Sequence, residues 1–210
     1  MSITFPLSTL FTEHTIKTGT FTLKSRQEFS RTAGGALIAK DFSRAIWAAA
    51  FQSVSMNYDD ATDLEALLQS LDGSVNTFVA HDTRRPYPRK YSTGQFNDDG
   101  VIGAINANRK ALTVTGLDAN FQLRRGDMLS FEHVTGGKSL HVISENVNAD
   151  PSGDTPEFEV RPHLPVEAIA TMAVSFKVPS CLMLIEPDSV EYTEGASTLG
   201  VVAFRGVQYL

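Results

Sequence analysis

The chain has 210 residues, 42% of them hydrophobic and 20% charged, so it can bury one substantial core or two small ones, which excludes intrinsic disorder. Its formal net charge of −6 argues against a free duplex-DNA-binding protein, because such proteins neutralise phosphates with clustered lysine and arginine. The single cysteine, Cys181, excludes an intrachain disulfide and an all-thiolate metal site, and its apolar neighbours predict a buried, inert thiol.

The composition favours strands over helices. Thirteen phenylalanines accompany many threonines, valines and serines, and only one segment shows a clear helical period, so we predict a mainly β protein. The start of the chain lacks the basic and apolar regions of a signal peptide, and no long uncharged apolar run follows. We therefore expect a soluble chain that folds in the reducing cytoplasm where it is made.

The N-terminal part predicts a strand followed by a hairpin or a long loop. Residues 5–23 alternate weakly between apolar and polar side chains, as in a half-buried antiparallel strand. Residues 24–40 turn polar, and a glycine pair in their middle suits the tip of a hairpin. The residues that define this segment are Arg26, Arg31, Gly34, Gly35 and Lys40.

The next segment predicts a buried strand and one helix. Trp47 and Phe51 share one face of a strand by the two-residue period. The aspartate pair at 59–60 is expected to cap a helix, and Gly73 to end it. The apolar residues of that helix recur at spacings of three and four: Leu64, Leu67, Leu68 and Leu71.

A short strand and a proline-rich break follow the helix. Residues 76–82, centred on Phe78, predict the strand, and the prolines within residues 84–88 end it because proline cannot donate to a sheet ladder. The only dense basic cluster lies here. We interpret it as a solvated linker rather than a phosphate site, since no aromatic platform accompanies Arg84, Arg85, Arg89 and Lys90.

The remaining chain predicts an inserted domain. Residues 91–108 are rich in glycine, asparagine and aspartate and mark a boundary. Beyond it, five short strand-like segments between 112 and 178 suit a small closed barrel. Two apolar segments in 180–210 are too hydrophobic to stand alone, so we expect them to return to the first sheet. This divides the chain into residues 1–90 with 180–210 and an insertion, 91–179.

No segment carries a recognisable catalytic or metal-binding pattern. No histidine pair has helical metal-ligand spacing, although His133 and His141 could approach each other across a hairpin. Residues 137–139 resemble the end of a phosphate loop, but Glu132 stands where that loop needs a glycine, which indicates a turn. Asp127 follows Gly126 and is expected to cap backbone amides in a tight turn.

Two stretches resemble the distal tail proteins of siphophages, the related lambda-type minor tail proteins and tail-tip proteins of gene-transfer-agent-like particles. The first matches the N-terminal domain of that family through its strand, helix, Leu-Asp-Gly turn and the following Asp82 with its arginine–proline run. The second, within residues 123–162, is similar to the small inserted barrel of the same family. The residues at the centre of the first motif are Trp47, Phe51, Leu64, Leu68, Leu71, Gly73 and Phe78.

This resemblance implies a fold and a function. It implies a β-sandwich-like ring domain with one α-helix and an oligosaccharide-binding-type barrel, assembled as a homohexamer around a channel at the virion tail tip. The ring would join the tail tube protein to the baseplate hub protein, next to receptor-binding or side-fibre proteins, with DNA only in transit and without cofactor, metal, membrane or catalysis. The segment 24–40 is then the candidate inter-subunit loop, and six copies would carry 36 formal negative charges around the channel.

Two other functions compete with this interpretation. A carbohydrate-binding module is the alternative, because barrels of this type bind oligosaccharides. The segment from 108 to 178 contains four phenylalanines but no tryptophan or tyrosine, the side chains that usually stack on sugar rings. A cell-wall hydrolase is a third possibility, and no residue spacing selects its catalytic carboxylates.

Overall fold

The computed structural model describes residues 3–195 and 199–210, and within them the mainly β class predicted from the sequence is confirmed. Two α-helices, α1 (Leu10–Glu13) and α2 (Tyr58–Gln69), and one 3-10 turn (Arg89–Tyr91) occur among the described residues. The strands are β1 (Ile16–Arg31), β2 (Leu37–Ser53), β3 (Met56–Asn57), β4 (Phe78–His81), β5 (Val101–Ile105), β6 (Ala111–Thr115), β7 (Gln122–Leu123), β8 (Met128–Glu132), β9 (Lys138–Ile143), β10 (Val147–Asn148), β11 (Phe158–Arg161), β12 (Val174–Ser175), β13 (Ser180–Ile185), β14 (Glu191–Glu194) and β15 (Leu199–Gln208).

The first sheet combines strands from both ends of the chain. Its order is β1-β2-β15-β13-β4, and β3 and β14 also pair with β15. The C-terminal strand β15 therefore lies at the centre, antiparallel to β2 on one side and β13 on the other. The two apolar C-terminal segments do return to the first sheet, because only there are their hydrogen bonds and apolar faces satisfied.

The second sheet forms a nearly closed barrel of six strands. Its order is β12-β8-β9-β11-β6-β5, and a bridge between Val101 and Ala173 brings the two ends together. Closure removes the exposed sheet edges that an open sheet would present. The barrel core contains the buried rings of Phe121, Phe131, Phe158 and Phe176.

The first sheet and α2 enclose a separate core. Phe51 contacts both Phe78 and Phe204, with ring centroids 6.3 and 5.2 Å apart. Trp47 lies beside Phe21 at this face of the sheet. The two-residue period of β2 predicts that Trp47 and Phe51 share the face. The residues of the family motif buried in this core are Trp47, Phe51, Leu64, Leu68, Leu71 and Phe78.

The ends of α2 differ from the prediction. Asn57, rather than the aspartate pair at 59–60, is the N-cap, because its side chain accepts a hydrogen bond from the Asp60 amide at 2.8 Å. The two aspartates lie in the first turn, where the helix dipole favours negative charge. The helix ends at Gln69, and Gly73 lies further on in a turn with φ of +65°.

The elements that were not predicted from the sequence include a short helix and a strand of the barrel. The short helix α1 interrupts residues 5–23, where the weak alternation predicted continuous strand, so β1 begins only at Ile16. Strand β5 lies in the segment expected to be a linker and forms one end of the barrel sheet by pairing with β6. Its small residues Gly103 and Ala104 give no apolar alternation, which is why the sequence pattern misses it.

The two cores meet at the indole of Trp47. Its Nε1 donates a hydrogen bond to the carbonyl of Leu140 in β9, at 2.8 Å and in a buried position. Met128 and Leu140 from the barrel belong to the apolar cluster of the first sheet. A buried donor and acceptor that satisfy each other across this junction fix how β2 and β9 pack.

We expect Trp47→Phe to destabilise the protein by about 1–3 kcal/mol, since it leaves the buried Leu140 carbonyl without its partner. Chemical denaturation monitored by circular dichroism measures this loss. The control is Tyr58→Phe, which removes an exposed hydroxyl and should change the free energy of unfolding by less than about 0.5 kcal/mol. Equal stability of the two variants would contradict the role of the indole.

Candidate interaction surface

The hairpin of β1 and β2 has a base in the first sheet and an outer part that stands alone. Every residue from 24 to 43 is exposed, and we call this segment the arm. The two strands pair along it as far as Arg31 opposite Leu37. Of the described strands no other pairs with the arm, so both of its faces and both of its outer edges meet solvent.

The tip of the arm is a tight turn built by its own residues. The amide of Thr32 donates to the Ala36 carbonyl at 2.9 Å, and the Ala36 amide donates to the Thr32 hydroxyl at 3.1 Å. Gly35 adopts φ of +85°, a conformation that glycine enters without steric cost. The glycine pair therefore lies at the tip of a hairpin, as predicted.

The arm carries large apolar side chains that its own chain does not cover. Phe29 and Leu37 lie on one face, opposite Ala39 and Arg31, and have exposed fractions of 73% and 62%. Ile38 points to the other face, and Phe42 lies at a bulge beneath the Lys40 ammonium. The prediction of a polar segment was therefore incomplete. Exposed apolar groups on both faces are typical of a surface that a partner covers.

Charge also separates the arm from the rest of the protein. The arm has four basic and two acidic side chains, a formal charge of +2, whereas the remaining residues sum to −8. The basic residues named in the candidate loop, Arg26, Arg31 and Lys40, are exposed within it. The arm is thus a basic, partly apolar projection on an acidic body, which suits an acidic partner surface.

A buried carboxylate holds the base of the arm to the barrel. Asp82 is fully buried and accepts hydrogen bonds from the side chains of Arg84 and Arg85 at 2.9 Å. Arg84 also reaches the Gly19 carbonyl of β1, and Arg85 the Gly126 carbonyl at the barrel turn. The two arginines therefore join Asp82, strand β1 and the barrel turn, so the interpretation of Arg84 and Arg85 as part of a solvated linker is wrong.

The electrostatics of Asp82 favour its charged form. Burial alone would raise the pKa of Asp82, but hydrogen bonds from Arg84 and Arg85 outweigh it and hold that pKa below its ordinary value of 3.8. The neighbouring turn uses a second carboxylate: Asp127 accepts from the amides of Arg89 and Arg124 at 3.1 and 2.7 Å. The predicted capping role of Asp127 is confirmed.

His133 and His141 each hydrogen-bond within the barrel. Burial lowers the pKa of His141 to about 3, so its ring is neutral, and Nδ1 lies 2.8 Å from the Pro162 carbonyl. His133 instead bonds the Ser139 hydroxyl at 2.8 Å. Within residues 3–195 and 199–210, no group of three His, Cys, Asp or Glu side chains could hold a metal ion. Cys181 is buried as predicted, and burial raises the pKa of its thiol.

The barrel offers little for binding a sugar. A cleft of about 620 Å³ lies between Arg44 at the arm base and the barrel residues His133, Lys138 and Glu167, and its one aromatic ring, Tyr209, comes from the C-terminus. The phenylalanines of the barrel are buried in its core. In the described part of residues 91–179 no aromatic ring is exposed.

The comparisons with known proteins add no name to this site. No protein-family model matches the chain, and no curated protein is significantly similar to it. Neither of the two described helices has the length and the apolar run that crossing a bilayer requires.

Asp82→Asn should lower the free energy of unfolding by about 2 kcal/mol at neutral pH, because hydrogen bonds to a charged group are lost inside the protein. The pKa of Asp82 is depressed by folding, so its stabilisation is fully present above about pH 5 and is lost as the pH falls below 3.8. Denaturation at pH 7 and pH 3 measures this difference. The variant and the wild type should converge in acid, and a gap independent of pH would contradict the assignment.

Proposed function

We propose that the protein is a structural ring subunit of a phage-type tail tip, which joins the tail tube to the baseplate hub and surrounds the channel through which DNA passes. On this proposal it works by contact with copies of itself and with adjoining tail proteins rather than by catalysis. The resemblance of two stretches to distal tail proteins motivates the proposal. The geometry of the arm is the observation that carries it.

An isolated two-stranded ribbon is marginally stable in water, and this one exposes large apolar groups as well. Phe29, Leu37 and Ile38 each expose more than half of their surface. Covering them removes apolar surface from water at about 25 cal/mol per Å², and none of the described residues covers them. Every copy of the chain carries such an arm. If each arm contacts a different surface of the next copy, the same head-to-tail contact repeats from copy to copy.

The charge distribution is consistent with a channel for DNA. Outside the arm the chain has a formal charge of −8, which repels phosphates if the body lines the channel. The arms, which are basic, would then be engaged in contacts between subunits rather than exposed to DNA. The carbohydrate-binding alternative gains no support, since the barrel exposes no aromatic platform for a sugar ring.

The test is a triple variant, Phe29→Ser, Leu37→Ser and Ile38→Ser. Because these side chains belong to neither core and each exposes more than half of its surface, the thermal melt should stay close to that of the wild type, whereas self-association should be lost. Sedimentation velocity and negative-stain electron microscopy measure the assembly. The wild type should give closed rings and the variant should give single chains.

The matched control replaces three exposed apolar residues of the barrel: Val134→Ser, Val166→Ser and Ile169→Ser. This control variant should form rings as the wild type does. Rings formed equally well by the arm variant would contradict the arm as the assembly element. A wild-type chain that stays monomeric at high concentration, and fails to join tail tubes, would contradict the proposed function.

A further inference from the structure

A second region of the chain is acidic, whereas the arm is basic. Helix α2, the loop 186–190 and strand β14 carry eight carboxylates and neither lysine nor arginine, and we call this region the acidic face. Glu65 of α2 and Glu186 of the loop line one shared cleft, and β14 follows that loop directly. On β14, Tyr192 lies opposite the buried Val202, whereas Glu191 points to the other side of the sheet. The carboxylates of the acidic face are Asp59, Asp60, Asp63, Glu65, Glu186, Asp188, Glu191 and Glu194.

The acidic face also offers apolar contact and a free strand edge. Tyr58 of α2 has an exposed fraction of 65% and Tyr192 of β14 one of 38%. In the described chain β14 pairs only with β15, so its outer edge has unpaired backbone groups. An approaching strand could complete that edge, as in β-strand addition, while its side chains meet the tyrosines.

The arm and the acidic face lie at opposite ends of the first sheet. Strand β2 runs from Leu37 at the arm tip to Ser53, and β3 and α2 follow directly. Glu191 pairs with Ala203, which pairs with Gln52, so β14 lies beyond the Ser53 end of β2. From Leu37 to Ser53 a strand spans about 53 Å at its usual rise. The arm therefore cannot fold back onto the acidic face of its own chain.

We propose that the arm of one copy docks on the acidic face of the next, along the free edge of β14. The occupant is a second copy of this chain: the arm is a basic, partly apolar ribbon with free edges, and β14 offers two carboxylates, a tyrosine and an unpaired edge. A contact between two different patches of identical chains is heterologous and closes into a ring when the rotation permits. This docking rests on the proposed ring function and specifies its interface.

Charge reversal tests the docking. The arm variant carries Arg26→Glu and Arg31→Glu, and the face variant carries Glu191→Lys and Glu194→Lys; all four side chains are exposed. Each variant alone should associate at least about tenfold more weakly than the wild type, because the arm then meets a β14 strand of like charge. The variant with all four reversals should recover assembly, because its arm is then acidic and its β14 basic, which makes the two complementary again.

Mixing the two single-surface variants gives a sharper result. Both contacts between unlike variants are then complementary: the basic arm of the face variant meets the unchanged β14 of the arm variant, and the acidic arm of the arm variant meets the reversed β14 of the face variant. An equimolar mixture should therefore recover assemblies in which the two variants alternate, seen as a one-to-one composition in native mass spectrometry, although neither variant assembles alone. The control Asp99→Lys with Asp154→Lys makes the same charge change on the barrel and should assemble normally. Wild-type association should also weaken as salt rises from 0.05 to 0.5 M, as screening requires.

The outcomes separate the docking from the proposed function. A wild type that forms rings while both reversed variants also form them would overturn the docking and leave the ring intact. Failure of the four-reversal variant to recover assembly, with an unchanged thermal melt, would also overturn it. A wild type that never associates would contradict the ring itself. If a reversal lowers the melt, Glu191→Gln with Glu194→Gln replaces it, and unchanged assembly of that variant would overturn the docking.

Discussion

Strand β2 lies partly in the core of the first sheet and partly in solvent, and the rest of the structure depends on this division. Its C-terminal half is central in the first sheet and buries Trp47 and Phe51, while its N-terminal half leaves the body and pairs only with β1. A strand can change environment in this way because sheet hydrogen bonding continues after the core ends. What cannot continue is burial, since a two-stranded ribbon has no interior. The apolar side chains on the outer half therefore stay exposed in the described chain.

The body around β2 is organised to keep the base of that ribbon fixed. The Trp47 indole ties the strand to the barrel, and the buried Asp82 carboxylate ties the base of β1 to the linker and the barrel turn through two arginines. Both act where the two cores meet, so that the direction of the arm is set by the packing of the barrel on the sheet.

Much of this could be predicted where one face of a strand or helix is buried. The alternation of Trp47 and Phe51 and the leucine stripe of α2 predicted the first core correctly, because burial on one side imposes a period. The pattern fails where that cause is absent. Strand β5 has small residues, and the exposed Phe29 and Ile38 lie on opposite faces, so neither segment shows a buried side. The role of Arg84 and Arg85 was missed because the carbonyls they reach, at Gly19 and Gly126, are brought near them only by the fold.

The central claim is that the arm is uncovered in a single chain and covered by another copy in the assembly. Hydrogen–deuterium exchange of peptides from residues 24–43, compared between dilute and assembled protein, tests it most directly. The account predicts fast exchange in the dilute chain and at least tenfold slower exchange in the assembly, because the free edges and apolar faces become buried. Equal exchange rates of the arm in the two states, with protection appearing elsewhere, would contradict it.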